Sequence, residues 1–138
     1  MPTNQNANAQ NEIAILKEVY AAINRNDIPA VLKLFDPEIE RIEPEGFPSS
    51  GTYRGLEKIE AHFSQARATW AEGSCEPEQF FVSGDKIVVF VWVHVRLKDN
   101  PQWIDAHIAD GFTFRNGKVI QMRTFVEKQQ ALDWAGIN

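Results

Sequence analysis

Asp110 is the side chain in this sequence that most demands a chemical explanation. It sits inside an apolar stretch, Ile108-Ala109-Asp110-Gly111-Phe112, that reads as the middle of a strand. Aspartate is depleted in strands and rarely buried without a partner. If the face it shares with Ile108 and Phe112 lines a pocket, the carboxyl either pairs or is pushed towards its neutral form. The alternative is a structural carboxylate bonded to a backbone amide or to an arginine across the sheet. Glu43 is a second carboxyl of interest, ending the charged–apolar alternation of residues 38–43 just before Pro44. A carboxylate has a reference pKa of roughly 4, and an apolar pocket raises it into a range useful for taking protons. Arg41 lies two residues back on the same strand face, and an ion pair would keep Glu43 ionised and lower its basicity. Tyr20 reads as a packing residue with a polar tip that can reach a cavity. His62, beside Phe63 at the edge of a helical apolar stripe, is a reserve acid or base. His94 and His107 lie on neighbouring strands, and His107, three residues before Asp110, points to the opposite face unless a bulge intervenes.

Other chemistries lack their residues. There is no His-x-His, no HExxH and no carboxylate run, so no metal site is expected. No GxGxxG, P-loop or GxSxG occurs. The single cysteine, Cys75, excludes an internal disulfide and has no nucleophile signature around it.

The elements that must position these groups follow from periodicity. Ile13, Leu16, Val19, Tyr20 and Ile23 share one helical stripe. Asp27 caps a second helix with Pro29 in its first turn and Ile28, Val31, Leu32 and Phe35 buried, stopped by Asp36-Pro37. After a loop from Pro44 to Gly55, Leu56, Ile59, Phe63, Ala66 and Trp70 predict a third helix ending at Gly73-Ser74. The remainder reads as strands over 79–83, 86–98, 102–115 and 118–127, with Asn116-Gly117 as a tight hairpin turn and a short helix over 129–135. Residues 1–11, Asn/Gln/Ala-rich and without apolar anchors, read as a disordered tail; 12–138 form one domain.

With 138 residues, 43% hydrophobic and 11% aromatic, the chain can bury one core. A net charge of −5 without a cationic cluster argues against nucleic acid. No apolar run is long enough to span a membrane, and the start lacks the basic and apolar regions of a secretory signal. A cytoplasmic location is expected. The sheet carries Phe90, Trp92, Trp103 and Phe125 on its second face, which predicts a homodimer through that outer face.

Three segments together resemble a known superfamily. They are Asn26-Asp27-Ile28 running through Val31, Leu34 and Phe35 into Asp36-Pro37-Glu38; Glu43-Pro44 followed by Gly51 and Gly55; and Ala109-Asp110-Gly111-Phe112-Thr113-Phe114 with Gly117-Lys118-Val119-Ile120 and Arg123. Across residues 12–135 the chain resembles nuclear transport factor 2-like proteins, and within them the SnoaL-like and ketosteroid isomerase-like groups. The resemblance implies an α+β fold: three N-terminal helices packed on a curved antiparallel sheet, forming a cone with an internal apolar pocket. It implies that Asp110 matches an aspartate held protonated to donate to a developing oxyanion. It places Glu43 where the family keeps the aspartate that shuttles a proton beside a carbonyl. The family's tyrosine donor on the first helix falls on Val19, with Tyr20 its neighbour, and Phe35 and Phe63 occupy the places of supporting tyrosines. The Arg-x-Asp of the epoxide-hydrolase branch is replaced by His94-Val95-Arg96-Leu97, and its last-strand aspartate by Thr124.

The implied pocket is lined by Leu16, Phe35, Ile39, Phe63, Trp70, Val93, Val95, Ile108, Phe112, Met122 and Val126, with Phe47 and Tyr53 over its mouth. Three functions stay open. One is a cofactor-independent isomerase- or cyclase-type enzyme moving a proton on a small hydrophobic carbonyl compound, with Glu43 as base, Asp110 as acid or oxyanion donor, and Tyr20 or His62 as auxiliary. The others are a non-catalytic binder of a small hydrophobic ligand and a dimeric interaction module.

Overall fold

The computed structural model describes residues 2–47 and 49–137. Helix α1 (Pro2–Asn24) and helix α2 (Ile28–Lys33) lead into strand β1 (Phe35–Glu43). Strand β2 (Gly51–Arg54), helix α3 (Leu56–Ala68), strands β3 (Trp70–Ser83), β4 (Lys86–Leu97), β5 (Trp103–Arg115) and β6 (Lys118–Phe125), and helix α4 (Lys128–Ala135) follow. The fold is α+β. The six strands form one open sheet in the order β2-β1-β6-β5-β4-β3. It is mixed rather than wholly antiparallel as expected, because β1 runs parallel to β6. The α3–β3–β4–β5 segment intervenes between them, so no short turn forces them to oppose.

Asp27 caps α2 as expected, its side chain accepting from the Ala30 amide at 3.3 Å. Several other boundaries move. The predicted tail is helical from Pro2, since no glycine or further proline interrupts residues 3–11 and Pro2 suits a first turn; Met1 lies outside the described residues. Phe35 leaves the α2 stripe and opens β1, opposite Val119. The loop expected over 44–55 contains the edge strand β2, whose exposed residues carry no apolar alternation to read. Helix α3 ends at Ala68. Trp70 begins β3 opposite Leu97, and Gly73-Ser74, expected as a helix stop, lies within that strand. Gly73 is required there: at φ +117° it presses so close to β4 that an added Cβ would collide with the His94 carbonyl.

The Asn116-Gly117 turn has positive φ at both positions, 54° and 80°, as a two-residue hairpin demands. It closes Arg115 on Lys118, but one residue later the register slips: Phe114 pairs with Val119 and Thr113 with Gln121. Ile120 is the extra residue, a β-bulge that shifts the side-chain alternation of the rest of β6.

Helices α1 to α3 bury the inner face of the sheet. Leu16, Val19, Ile39, Ile59, Val89 and Phe112 lie at the centre of that core. Helix α4 covers part of the outer face, where Ala131 and Ala135 pack with Val88, Phe90 and Ala109.

Candidate functional site

Between the helices and the inner face of the sheet lies a cavity of about 240 Å³. Tyr20 and Ile23 enter it from α1, Arg41 and Glu43 from β1, and His62, Phe63, Ala66 and Arg67 from α3. Val91 and Val93 of β4, Ile108 and Asp110 of β5, and Met122 and Thr124 of β6 complete the sheet wall, while Phe47, Trp70 and Cys75 close the remaining sides. The four candidate acid–base residues, Asp110, Glu43, Tyr20 and His62, are thus brought to one hollow. Phe63, Val93, Ile108, Met122 and Trp70 line it as expected.

Six residues expected on the lining are elsewhere. Leu16, one turn before Tyr20, is wholly buried between helices and sheet, and so are Phe35 and Ile39. Phe112 shares the Asp110 face but packs edge-on against Tyr20, with centroids 6.2 Å apart, so it floors the core beneath the phenol. Val95 is buried beyond the cavity wall. Val126 is half exposed because β6 ends at Phe125 and strand alternation no longer governs it; it makes a sixth departure. Phe47 reaches the cavity, whereas Tyr53 lines a separate groove behind α3.

The polar groups form a chain along one wall. Tyr20 Oη donates to Asp110 Oδ2 at 2.5 Å, and Thr124 Oγ1 donates to Asp110 Oδ1 at 2.6 Å. Arg41 Nη2 donates to Thr124 Oγ1 at 2.8 Å and to Glu43 Oε1 at 3.0 Å. His62 Nε2 stands 3.6 Å from the same Glu43 oxygen. Asp110 therefore has both oxygens accepting from hydroxyls. The donor role implied for it by resemblance is not the arrangement seen, and the acidic hydrogen nearest the cavity belongs to Tyr20. Burial, and then the adjacent Asp110 carboxylate, hold the Tyr20 phenol well above its ordinary pKa, so it stays protonated.

Glu43 differs. Burial alone would raise its pKa, but His62 and the Arg41 guanidinium outweigh that and hold it below the usual glutamate value, with a smaller contribution from Ser49. Its Oε2 is buried and, among the described residues, makes no hydrogen bond; the same holds for Arg41 Nε. A buried unpaired acceptor costs about 1–3 kcal/mol, and such atoms in native folds mark sites of function or missing partners.

The supporting structure is specific. Asn24 pins β3 to α1 by bonding both the amide and the carbonyl of Cys75, each at 2.9 Å. Arg67 caps α1 by donating to the Ile23 and Asn24 carbonyls at 2.8 and 2.9 Å, and its guanidinium lies 4.6 Å from the Trp70 ring centroid. Burial pushes the Cys75 thiol up to about 12, which keeps it inert as a nucleophile. Thr124, Arg67 and Cys75 escaped the sequence reading as site residues. For Thr124 the only signal was its position on the last strand, and the bulge at Ile120 obscured its pairing. Among the described residues no group of three or more His, Cys, Asp or Glu is placed to hold a metal ion. No described helix is long and apolar enough to cross a membrane.

Comparison with known proteins agrees with this architecture. The SnoaL-like domain family matches residues 16–122, and the chain belongs to that family. Solved structures extend the likeness. A nuclear transport factor 2-like protein from Burkholderia xenovorans LB400 is 28% identical, with a TM-score of 0.73 over 91% of this chain and 95% of that one. A nuclear transport factor 2-like protein of unknown function from Burkholderia pseudomallei K96243 is 23% identical, with a TM-score of 0.76 over 91% and 97%. A putative polyketide cyclase from Sinorhizobium meliloti is 22% identical, with a TM-score of 0.68 over 81% and 94%. No curated protein matches the chain.

Proposed function

We propose that the chain is a cofactor-independent acid–base enzyme of the isomerase or cyclase type, acting on a small hydrophobic carbonyl compound held in the cone between helices and sheet. The observation that carries this reading is the wall from Tyr20 to His62, with carboxylates in two contrasting environments inside an otherwise apolar hollow. Pairs of titratable groups with divergent surroundings are how one site supplies both an acid and a base. Glu43, ionised, takes a proton from the carbon beside the carbonyl. Tyr20, neutral, turns its single hydroxyl hydrogen from Asp110 to the oxygen that gains charge, while Thr124 keeps donating to Asp110. Thr124 and Arg41 hold the two ends in register. The likeness to a putative polyketide cyclase supports the carbonyl chemistry.

The binder reading draws on one observation: Arg41 is paired with Glu43 at 3.0 Å, which weakens it as a base. A panel of hydrophobic ketones in D2O separates the two. Deuterium entering beside the carbonyl of a bound ketone, and failing to enter in Glu43→Gln, supports the enzyme; tight binding without exchange in the native protein overturns it in favour of a binder.

We also propose a homodimer through the part of the outer face that α4 leaves open, where His107, Trp92, His94 and Trp103 stack in a row with centroids 6.2, 5.0 and 4.4 Å apart. Trp103 is 43% exposed there. Phe90 and Phe125, expected at that interface, are instead covered by α4 and packed in the cluster around it. Sedimentation of the native chain and of Trp103→Glu tests this; a native monomer overturns it. The single free thiol suits a reducing, cytoplasmic setting.

A further inference from the structure

The hollow has a sealed end and an open one. Tyr20, Asp110 and Thr124 are buried, whereas Arg67, Trp70, Val93 and Ile108 of the same lining are only part-buried. Arg67 is the cation at the open end. We infer that Arg67 reads the far end of the substrate, and that the substrate is a hydrophobic carbonyl compound bearing a carboxylate remote from the reacting carbonyl. The inference rests on the acid–base reading above, which sets that carbonyl at Tyr20.

The guanidinium has one edge committed and one edge open. Nε and Nη2 donate to the Ile23 and Asn24 carbonyls at 2.8 and 2.9 Å, which uses the side edge to cap α1. The end edge keeps the Nη1 hydrogens and the second Nη2 hydrogen. Among the described residues Nη1 makes no hydrogen bond, yet it is not sealed away as Arg41 Nε is, so it borders open space. That edge offers two parallel N–H groups, which match the two oxygens of one carboxylate. Charge points the same way. Arg41, the other arginine on the lining, is paired with Glu43 at 3.0 Å, and Asp110 accepts from two hydroxyls. Among the described residues no carboxylate pairs with Arg67, whose partners are the two carbonyls and the Trp70 ring 4.6 Å away. Tyr20 and Asn24 are about one turn apart on α1, roughly 6 Å along its axis, a separation that a small ring system spans. Val93, Ile108 and Trp70 give it apolar walls. Both ends reach the Cys75 thiol: after burial, the Asp110 and Glu76 charges push it up and the Arg67 charge pulls it down.

Calorimetry at neutral pH with matched tetralones tests the assignment. 6-Carboxy-2-tetralone carries its carboxylate across the ring system from the ketone, its methyl ester is the neutral counterpart, and 8-carboxy-2-tetralone holds the charge near the ketone. The native protein should bind the 6-carboxylate at least about tenfold more tightly than the ester, the size of one charge-assisted contact. The 8-carboxylate should bind no more tightly than the ester. In Arg67→Gln the advantage of the 6-carboxylate should fall below about twofold. The ratio of two ligands in one variant is the readout, because loss of the α1 cap alone weakens both alike. Arg67→Lys, which keeps the charge without the paired N–H groups, should hold an advantage of about threefold or less, and gives the same reading where the glutamine variant does not fold. No advantage in the native protein, an equal one for both isomers, or a native-sized one in either variant overturns the assignment. Loss of the C1 protons of the bound 6-carboxylate in D2O, followed by NMR, reports separately on the acid–base reading. A native protein with the Arg67-dependent advantage but no such loss is a binder of keto acids; the acid–base reading then falls while the Arg67 site stands.

Discussion

The two faces of strand β5 put opposite demands on adjacent residues. Asp110 points inward, where Tyr20 and Thr124 hydroxyls satisfy both its oxygens. Gly111 points outward, where even a methyl group would meet the Trp134 ring at 2.5 Å. The inner face keeps a hollow and places polar groups in it; the outer face is filled by an indole packed close against the Gly111 backbone. The difference shows how a thin sheet carries a buried polar site. The face that cannot be packed densely is backed by one that is, so the strand holding the carboxylate has no freedom to shift away from its partners.

The comparison breaks most visibly on the inner face. Asp110→Asn should lower turnover of any ketone substrate by at least about tenfold and up to 10⁴-fold, with the fold intact by circular dichroism; an unchanged rate removes Asp110 from the mechanism. On the outer face Gly111→Ala should leave the chemistry alone but destabilise by about 1–3 kcal/mol through overpacking, read as a fall in urea midpoint. Trp134→Leu in the same chain should return part of that loss, because it frees the space the methyl needs.

Smaller effects sharpen the contrast through pH. Glu43 has a depressed pKa in the folded chain, so its contribution to stability is present above the unfolded value of roughly 4.3 and is lost as pH falls through the folded one. The acid limb of the stability profile should therefore be shallower in Glu43→Gln. Tyr20 has a raised pKa, so its contribution is present below roughly pH 10 and lost as pH rises through the folded value. In alkaline absorbance titration, the phenolate signal that disappears in Tyr20→Phe should coincide with unfolding; an earlier appearance would show the phenol open to solvent.

Much of this was legible beforehand, for identifiable reasons. Apolar spacing located α1 and α3, the Asn-Gly pair located the last hairpin, and a charged residue amid β-formers exposed Asp110. The resemblance brought Glu43 to the same pocket. Boundaries failed where a signal was ambiguous: Trp70 continues a helical spacing yet starts a strand, and β2 has no apolar face to announce it. The partner of Asp110 was hidden for a geometric reason. Strict alternation back from the Asn116-Gly117 turn sets Arg123 opposite it, and Ile120, the extra residue, moves Thr124 there. The polar chain through Arg41 was half visible, since its spacing from Glu43 was evident but its bond to Thr124 depended on that slip.

That bulge has a consequence for how the pocket can be altered. Pairing Ile120 into a regular ladder would shift β6 by one step, withdrawing the Met122 thioether and the Thr124 hydroxyl and presenting the Arg123 guanidinium to Asp110 in their stead, whereas deleting Ile120 would keep Thr124 where it is. A slip of a single step between neighbouring ribbons would thus recast the sealed end of the hollow from one that shelters a neutral group into one that offers a positive charge to an anionic group.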